Sequence, residues 1–437
     1  MVSSDSRDSY LNEKPEQNSD VSLIPPEIPE KRSPAKNQRD SGYNELNDPS
    51  SMLGTPDQMV EKVLSQHVKS DFIEAFLSSF RTFLALEKLI DELLKRIRQA
   101  DTCASSSGIP VQILIRVVDQ LVYTELNDNI KQKLDDEIFW MMTHREKNFL
   151  NYAKQLRDSA QRVVIKKSRS VQRPLSMGAL VDNEYEALTE KLRLDGSKFL
   201  DYTSEIFAQH LCILDADFYR SIEPSEFVLA AMSETQDSQK TPNFSAAVDH
   251  FNSVSYWTQG LILSQNAPGK EATDLRERIL NNFFKILSHL RKHNNFNSYF
   301  AVVAGVSSKA VTRLHWKSSI QEKIQEFQKI TSVDKNFVNY RPVLKDSELP
   351  CVPYIGIVRQ DLYQVHLREK PMKDGMVNFD RVMRIHKLLE QTRRFRESKY
   401  DFQKSADIDR RFCGFQSLQD DDKLWEMSYL IRPLADP

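Results

Sequence analysis

Apolar residues in the first third of the chain recur at helical spacing. Phe72, Phe76 and Phe80 fall at i, i+4 and i+8, with Ile73 and Leu77 beside them, which predicts a helix with one broad apolar face. Leu89, Ile90, Leu93, Leu94 and Ile97 repeat the pattern. Ile113, Leu114, Val117, Val118 and Leu121 predict a third helix, and Ile130, Leu134 and Ile138 with Phe139 a fourth. The CASSSG stretch ending at Gly108, followed by Pro110, is the clearest loop between them. Each stripe needs a partner to cover it, so residues 56–157 are expected to form a small accessory helical bundle.

The flanking segments lack this periodicity. Residues 1–55 are polar, with prolines at 25, 26, 29, 34 and 49, and cannot bury enough apolar surface to offset chain entropy; disorder is expected there. Residues 158–183, including KKSRSVQRPLS, are expected to form a linker. Ser170 and Ser176 follow Lys/Arg at kinase-like offsets. The plain reading is a solvated connector; the sharper one is a phosphorylation switch. From 184 to 437 the helical pattern returns with more aromatics: Leu275, Ile279, Phe283, Leu287 and Leu290, then Phe379, Val382, Ile385, Leu389 and Thr392, with Asn378 as an expected N-cap. Tyr299 to Val306 reads as a core segment. There is no alternating strand series and no repeat of fixed period, so the expected class is all-α.

Composition narrows the chemistry. Only 11 of 437 residues are glycine, which disfavours Gly-rich phosphate loops and turn-dense β folds. Sixty basic against 62 acidic residues give a net charge of -2, so no global basic field implies nucleic acid. The four cysteines, Cys103, Cys212, Cys351 and Cys413, are far apart and read as free thiols in a reducing compartment. The N-terminal stretch lacks the apolar core of a signal peptide, Val2 excludes N-myristoylation, there is no prenylation box, and no apolar run approaches a membrane span. The expectation is a cytoplasmic protein recruited to membranes through partners, without direct insertion.

Motifs for covalent work are missing. There is no GxxxxGK[ST], no GxSxG, and no HRD or DFG set. His289 and His293 lie four apart in SHLRKH, a spacing that can share a metal. No glutamate follows the first, as HExxH requires, so surface or capping histidines are expected and neither a metal nor a cofactor is assigned. A chain with this much core and no such motif is expected to work by binding.

Seven blocks then carry a resemblance: LDADFYRSIEPSEF (214–227), HFNSVSYWTQGLIL (250–263), HNNFNSYFAVVAGVSSKAVTRL (293–314), NFVNYRPVL (336–344), PCVPYIGIVRQDL (350–362), GMVNFDRVMRIHKLL (375–389) and LWEMSYLIRP (424–433). In order and approximate spacing they resemble the Cdc25-homology catalytic domain of Ras-type guanine-nucleotide exchange factors. FIEAFLSSFRTFLALEKLIDELLKRI (72–97) resembles that family's accessory module, the Ras exchanger motif. The resemblance implies a helical accessory bundle followed by a larger helical catalytic domain with a protruding helical hairpin. The implied partner is a Ras-family small GTPase of Ras, Rap or Ral type, which alone binds the nucleotide. An exchange factor makes no covalent bond, so no enzyme chemistry is expected.

The same resemblance assigns a GTPase-binding set: Arg220, Phe300, Ser307, Ser308, Thr312, Phe337, Tyr354, Tyr363, Gln364 and Leu367. Arg220 reads otherwise as a surface ion pair. In FYRSIEPSEF, Pro224 breaks one helix and Ser225 can cap the next. Asn294, Asn295 and Asn297 are costly if buried alone and should satisfy backbone groups where helices meet. Tyr354 takes the place of a residue that packs against switch 2, and residues 358–395 correspond to the hairpin that displaces switch 1. The family usually continues DL with an apolar pair and Glu-Gly-Asn; here Tyr363 stands where a residue crowds the metal site, and Leu367 stands where a glutamate competes for phosphate-loop donors. Leu367 cannot accept a hydrogen bond. That departure leaves a second reading, a weak or inactive GTPase-binding scaffold of the same fold. The segment ahead of the catalytic domain is expected to stabilise it by packing near the hairpin base.

Overall fold

The computed structural model describes residues 54–65, 68–100, 108–143, 147–171, 194–233, 237–265, 269–406, 408 and 420–433. Most of the segment expected to be disordered, and Ser176, lie outside them, as does the side chain of Ser170. Six accessory helices come first: α1 (Pro56–Val63), α2 (Ser70–Ser79), α3 (Leu86–Ala100), α4 (Gly108–Asp119), α5 (Asp128–Thr143) and α6 (Lys147–Val171). Thr55 starts α1 through a capping box with Gln58. The apolar stripes meet as expected: Phe76, Leu89, Ile90, Leu93, Leu114, Val118, Ile130 and Leu134 are all buried in one cluster.

Two details differ from the sequence reading. Phe139 is 71% exposed and faces away from the core, while Ile138 beside it is buried. Helix α6 runs to Val171, through the first half of the expected linker. Ser159 and Val163 are buried within that extension. Its Lys166 donates to the Asp119 carbonyl (3.1 Å) and pairs with Glu223 (2.8 Å) in the next group of helices. The accessory helices and the remainder belong to one unit spanning Tyr43–Pro437.

That remainder holds α7 (Gly196–Leu200), α8 (Ser204–Ser221), α9 (Pro224–Met232), α10 (Pro242–Leu263), α11 (Lys270–Lys292), α12 (Phe296–Val306), α13 (Ser318–Thr331), α14 (Tyr340–Lys345), α15 (Ile355–Arg368), α16 (Phe379–Arg393) and α17 (Asp421–Ile431). The class is all-α. Among the described residues one small addition appears: β1 (Met372–Lys373) and β2 (Met376–Val377) pair antiparallel between α15 and α16. No helix of the described residues is long and apolar enough to cross a membrane. Pro224 opens α9 as expected, but Glu223 takes the N-cap position in place of Ser225, and Glu226 reaches back to the Glu223 N–H (2.8 Å). The second oxygen of Glu226 accepts from Asn243 N (2.7 Å), so one buried carboxylate joins the starts of α9 and α10.

The core helix of this part is α12, buried at all but one position. It lies against α10, and Gly305 sets how closely. A Cβ there would sit 2.6 Å from Thr258 Cβ and 2.8 Å from the Ser255 carbonyl oxygen. At the other end of α12, Asp215 of α8 is fully buried. It accepts from the Asn297 amide (3.1 Å) and from Ser298 N (3.1 Å), and His250 Nε2 of α10 lies 3.2 Å away. Burial alone would raise this carboxyl's pKa; His250, Ser298 and Asn297 together bring it below its ordinary value. One charge thereby joins three helices.

Gly305→Ala is expected to cost about 1–3 kcal/mol by overpacking the α10–α12 crossing. Chemical denaturation with an unchanged m-value checks this, and a midpoint equal to that of the unaltered chain would refute the close approach.

Candidate functional site

The hairpin begins where the chain is stitched to the start of α12. Val352 N donates to the Asn294 carbonyl (3.0 Å) and Phe296 N to the Val352 carbonyl (2.9 Å), a parallel bridge across Asn295. The Asn297 side-chain oxygen accepts from Ile355 N (3.4 Å), and the Asn294 amide donates to Glu348 O (3.1 Å). The expected role of these asparagines as backbone partners is what is found. The exit is tied to the same strip. Ser398 Oγ accepts from Cys351 N (2.9 Å) and donates to Cys351 O (2.6 Å).

Above this base lies an aromatic floor. Tyr354 stacks on Phe300, with centroids 4.3 Å apart and planes at 12°. Phe337 meets both at 6.2 and 6.0 Å, and Tyr340 lies 4.9 Å from Phe300. The Tyr340 hydroxyl accepts from Tyr354 N (2.9 Å), which fixes the ring that opens α15. Phe300, Phe337 and Tyr340 are buried, and Tyr354 is half-buried. Burial raises the Tyr354 phenol above its ordinary pKa, so it stays neutral. The floor is apolar with one phenolic edge.

A strained turn borders the floor. Lys335, Asn336 and Phe337 have φ of 46°, 59° and 58°, three consecutive left-handed residues and none of them glycine. Such a residue costs about 1–2 kcal/mol, so the turn needs outside support. Arg341 supplies it: Nε donates to the Asn336 carbonyl (2.8 Å) and Nη2 to its side-chain oxygen (3.0 Å). The same guanidinium holds Asp361 of α15 with two bonds of 2.6 and 3.0 Å. Gln360 adds a bond to Asn336 (3.3 Å). The turn is therefore locked to α15, and it leaves Val333 and Val338 exposed at 53% and 48%.

From Gln360 outward, Tyr363, Gln364 and Leu367 follow at helical spacing on one face of α15. Tyr363 and Gln364 are half-buried and Leu367 is 53% exposed. The opposite face, with Val358 and Leu362, is buried, and α15 packs on α9 and α16. Tyr363, Gln364 and Leu367 are accessible along α15, while Phe300 and Phe337 lie buried behind the half-buried Tyr354 at its start.

The other four expected residues also make local hydrogen bonds. Ser307 Oγ donates to Val303 O (2.7 Å), Ser308 Oγ accepts from Val311 N (3.4 Å), and Thr312 Oγ1 donates to Ser308 O (2.9 Å). Their hydroxyls close helix ends. Arg220 donates to Asp217 (2.9 Å) and to the Ser398 carbonyl (2.8 Å), so its guanidinium braces the hairpin exit.

The accessory helices hold α16. Phe72 of α2 stacks on Phe379 at 4.4 Å, and Val377, Phe379 and Val382 belong to the accessory core cluster. Val377 N donates to the Gly54 carbonyl (2.9 Å). Arg381, 1% exposed, donates to Thr82 Oγ1 (3.4 Å) of the accessory part and to Met232 Sδ (3.5 Å) of α9. The packing begins at the hairpin tip and runs inward along α16, whereas packing near the base was expected. A cleft lined by Glu74, Tyr219, Glu223, His386 and Arg396 continues it toward the base, away from the aromatic floor.

A family model described as RasGEF domain matches residues 206–383, from α8 into α16, a span that includes the floor, the turn and α15. The chain carries a RasGEF domain. It is 32% identical to the human Rap guanine nucleotide exchange factor 1 over 371 residues, 83% of this chain and 32% of that protein. It is 29% identical to guanine nucleotide-releasing factor 2 of Drosophila melanogaster over 378 residues, 83% of this chain and 23% of that protein. Ras guanine nucleotide exchange factor H of Dictyostelium discoideum is 31% identical over 216 residues, 48% of this chain and 35% of that protein. The chain spans about a third or less of the first two relatives it matches.

Sequence reasoning missed the Arg341–Asn336–Asp361 lock around the RasGEF floor. Its one signal was an asparagine in NFVNYRP, since asparagine tolerates the left-handed region better than most residues. Arg341→Ala is expected to release the turn. Amide hydrogen exchange at 335–338 and 360–364 should quicken by at least about tenfold, the equivalent of about 1.4 kcal/mol. Unchanged exchange in both segments would show that the turn does not depend on the guanidinium.

Proposed function

We propose that the chain is a guanine-nucleotide exchange factor for a Ras-family small GTPase, with a Rap-type GTPase as the first candidate. One observation carries this reading: inside the RasGEF domain the aromatic floor joins a turn that Arg341 locks to α15, whose outer face carries Tyr363, Gln364 and Leu367. Tyr354, backed by the buried Phe300 and Phe337, receives the apolar part of switch 2, and α15 with α16 enters beside the nucleotide. Residues 56–157 act as the Ras exchanger motif; matches covering 83% of the chain, reaching well upstream of the catalytic helices, support this. Rap-type substrate choice is supported by similarity to the human Rap guanine nucleotide exchange factor 1.

The mechanism is competition. The hairpin and the nucleotide cannot occupy overlapping space, so each weakens the other's binding by the same factor. No bond is made or broken. Each 1.4 kcal/mol of preference for the empty GTPase is about tenfold in the ratio of affinities. Tyr363, Gln364 and Leu367 act as a steric wedge. Leu367 offers no acceptor for phosphate-loop donors, so crowding carries the displacement. GTP reloads because cells hold more of it than GDP.

Release of fluorescent GDP from purified Ras, Rap and Ral proteins tests this. The chain should accelerate release from at least one, Rap-type first, and no acceleration for any of them would overturn the reading. Tyr354→Ala should slow the accelerated rate by at least about tenfold, as expected for loss of an aromatic anchor. A normal rate in that variant would place the docking floor elsewhere.

A further inference from the structure

His289 and His293 lie one turn apart at the C-terminal end of α11, and the fold brings Glu205, from the first turn of α8, against them. One ligand atom from each residue lies within 4.8 Å of the other two. His293 Nε2 is buried and has no hydrogen-bond partner among the described residues. A buried ring nitrogen in that state carries a cost unless something meets it. The carboxylate of Glu205 is half-exposed and makes no ion pair among the described residues. The backbone around the site is held firmly: the Tyr400 hydroxyl donates to the His293 carbonyl (2.7 Å), and Phe402 packs edge-on to the His293 ring at 5.0 Å.

We propose that Glu205, His289 and His293 form a zinc site that pins the start of α8 to the end of α11. The ligand set is two imidazoles and one carboxylate, a borderline set that suits zinc, with the fourth position left to water. Donors on a tetrahedral zinc lie roughly 3.3 Å apart at Zn–N distances of about 2.0–2.1 Å, so side-chain rotation must close the set by about 1.5 Å at most. Glu205 and His289 are half-buried side chains. The helix C-terminus contributes favourable negative potential for a cation. The neighbouring residue, Asn294, begins the strip that launches the hairpin, so the ion would staple the body just behind that strip. The third ligand comes from another helix, α8, and not from the segment that carries the two histidines.

The test is zinc titration of the full chain after chelator treatment and dialysis, read by calorimetry and by the thermal midpoint. One equivalent of zinc should bind and raise the midpoint. Glu205→Gln and His289→Asn, each shown folded by circular dichroism, should weaken that binding at least tenfold and abolish the rise. Cobalt loading of the unaltered chain should give the visible bands of a four-coordinate site. No zinc uptake, or uptake unchanged in either variant, would overturn the proposal and assign any binding to other histidines or cysteines.

Discussion

Phe72 on Phe379 is the contact on which the rest of the site depends. A pair of helices that leaves a helical body has one face available for a partner and one face that must be covered. Here the accessory part covers it. Val377, Phe379 and Val382 are buried in the accessory core, and the Gly54 carbonyl accepts from the strand turn at the tip. The position of α16 is therefore set in part from outside the RasGEF body, and α16 packs in turn on α15, which the body holds through α9 and Arg341.

The base of the hairpin is held by a different kind of force. Asp215, Asn297 and Ser298 form a buried polar cluster, and the strip from Cys351 to Ile355 is hydrogen-bonded to Asn294–Asn297 on one side and Ser398 on the other. Such networks specify one geometry because any register shift leaves buried groups unpaired. Apolar packing at the tip can slide more easily than a hydrogen-bonded base. The design fixes where the hairpin starts and makes its reach sensitive to the accessory helices. Arg381 stands at the junction, a buried cation meeting Thr82 and Met232. Burial lowers its pKa, and its site is shaped by the accessory part and the body together.

The helical stripes and the order of helices were legible because a 3.6-residue period is written directly in apolar positions. Asn378 capping α16 and the asparagines before α12 were legible for a second reason: short polar side chains in an apolar context must bond backbone. The extension of α6 to Val171 was hidden by its Lys, Arg and Ser residues, since a helix that buries only Ser159 and Val163 there shows too thin a stripe. Phe139 was placed inward because adjacency to Ile138 does not say which of two neighbours faces the core. The left-handed turn at 335–337 could not be read from spacing, because its strain is supported by Arg341, whose guanidinium is itself held by Asp361 twenty residues further on. Arg220 reads from the sequence as a surface ion pair, which Asp217 supplies; its second acceptor, Ser398, was not legible because it lies far along the chain.

The central claim is that the accessory core sets the hairpin to which exchange is assigned in the proposed function. It is tested most directly by the GDP-release rate of full-length Phe72→Ala with the GTPase on which the unaltered chain is active, alongside hydrogen exchange in α16. The account predicts faster exchange at 377–385, unchanged protection in α12, and release slowed at least several-fold. A variant that loses protection along α16 yet releases GDP at the unaltered rate would contradict it.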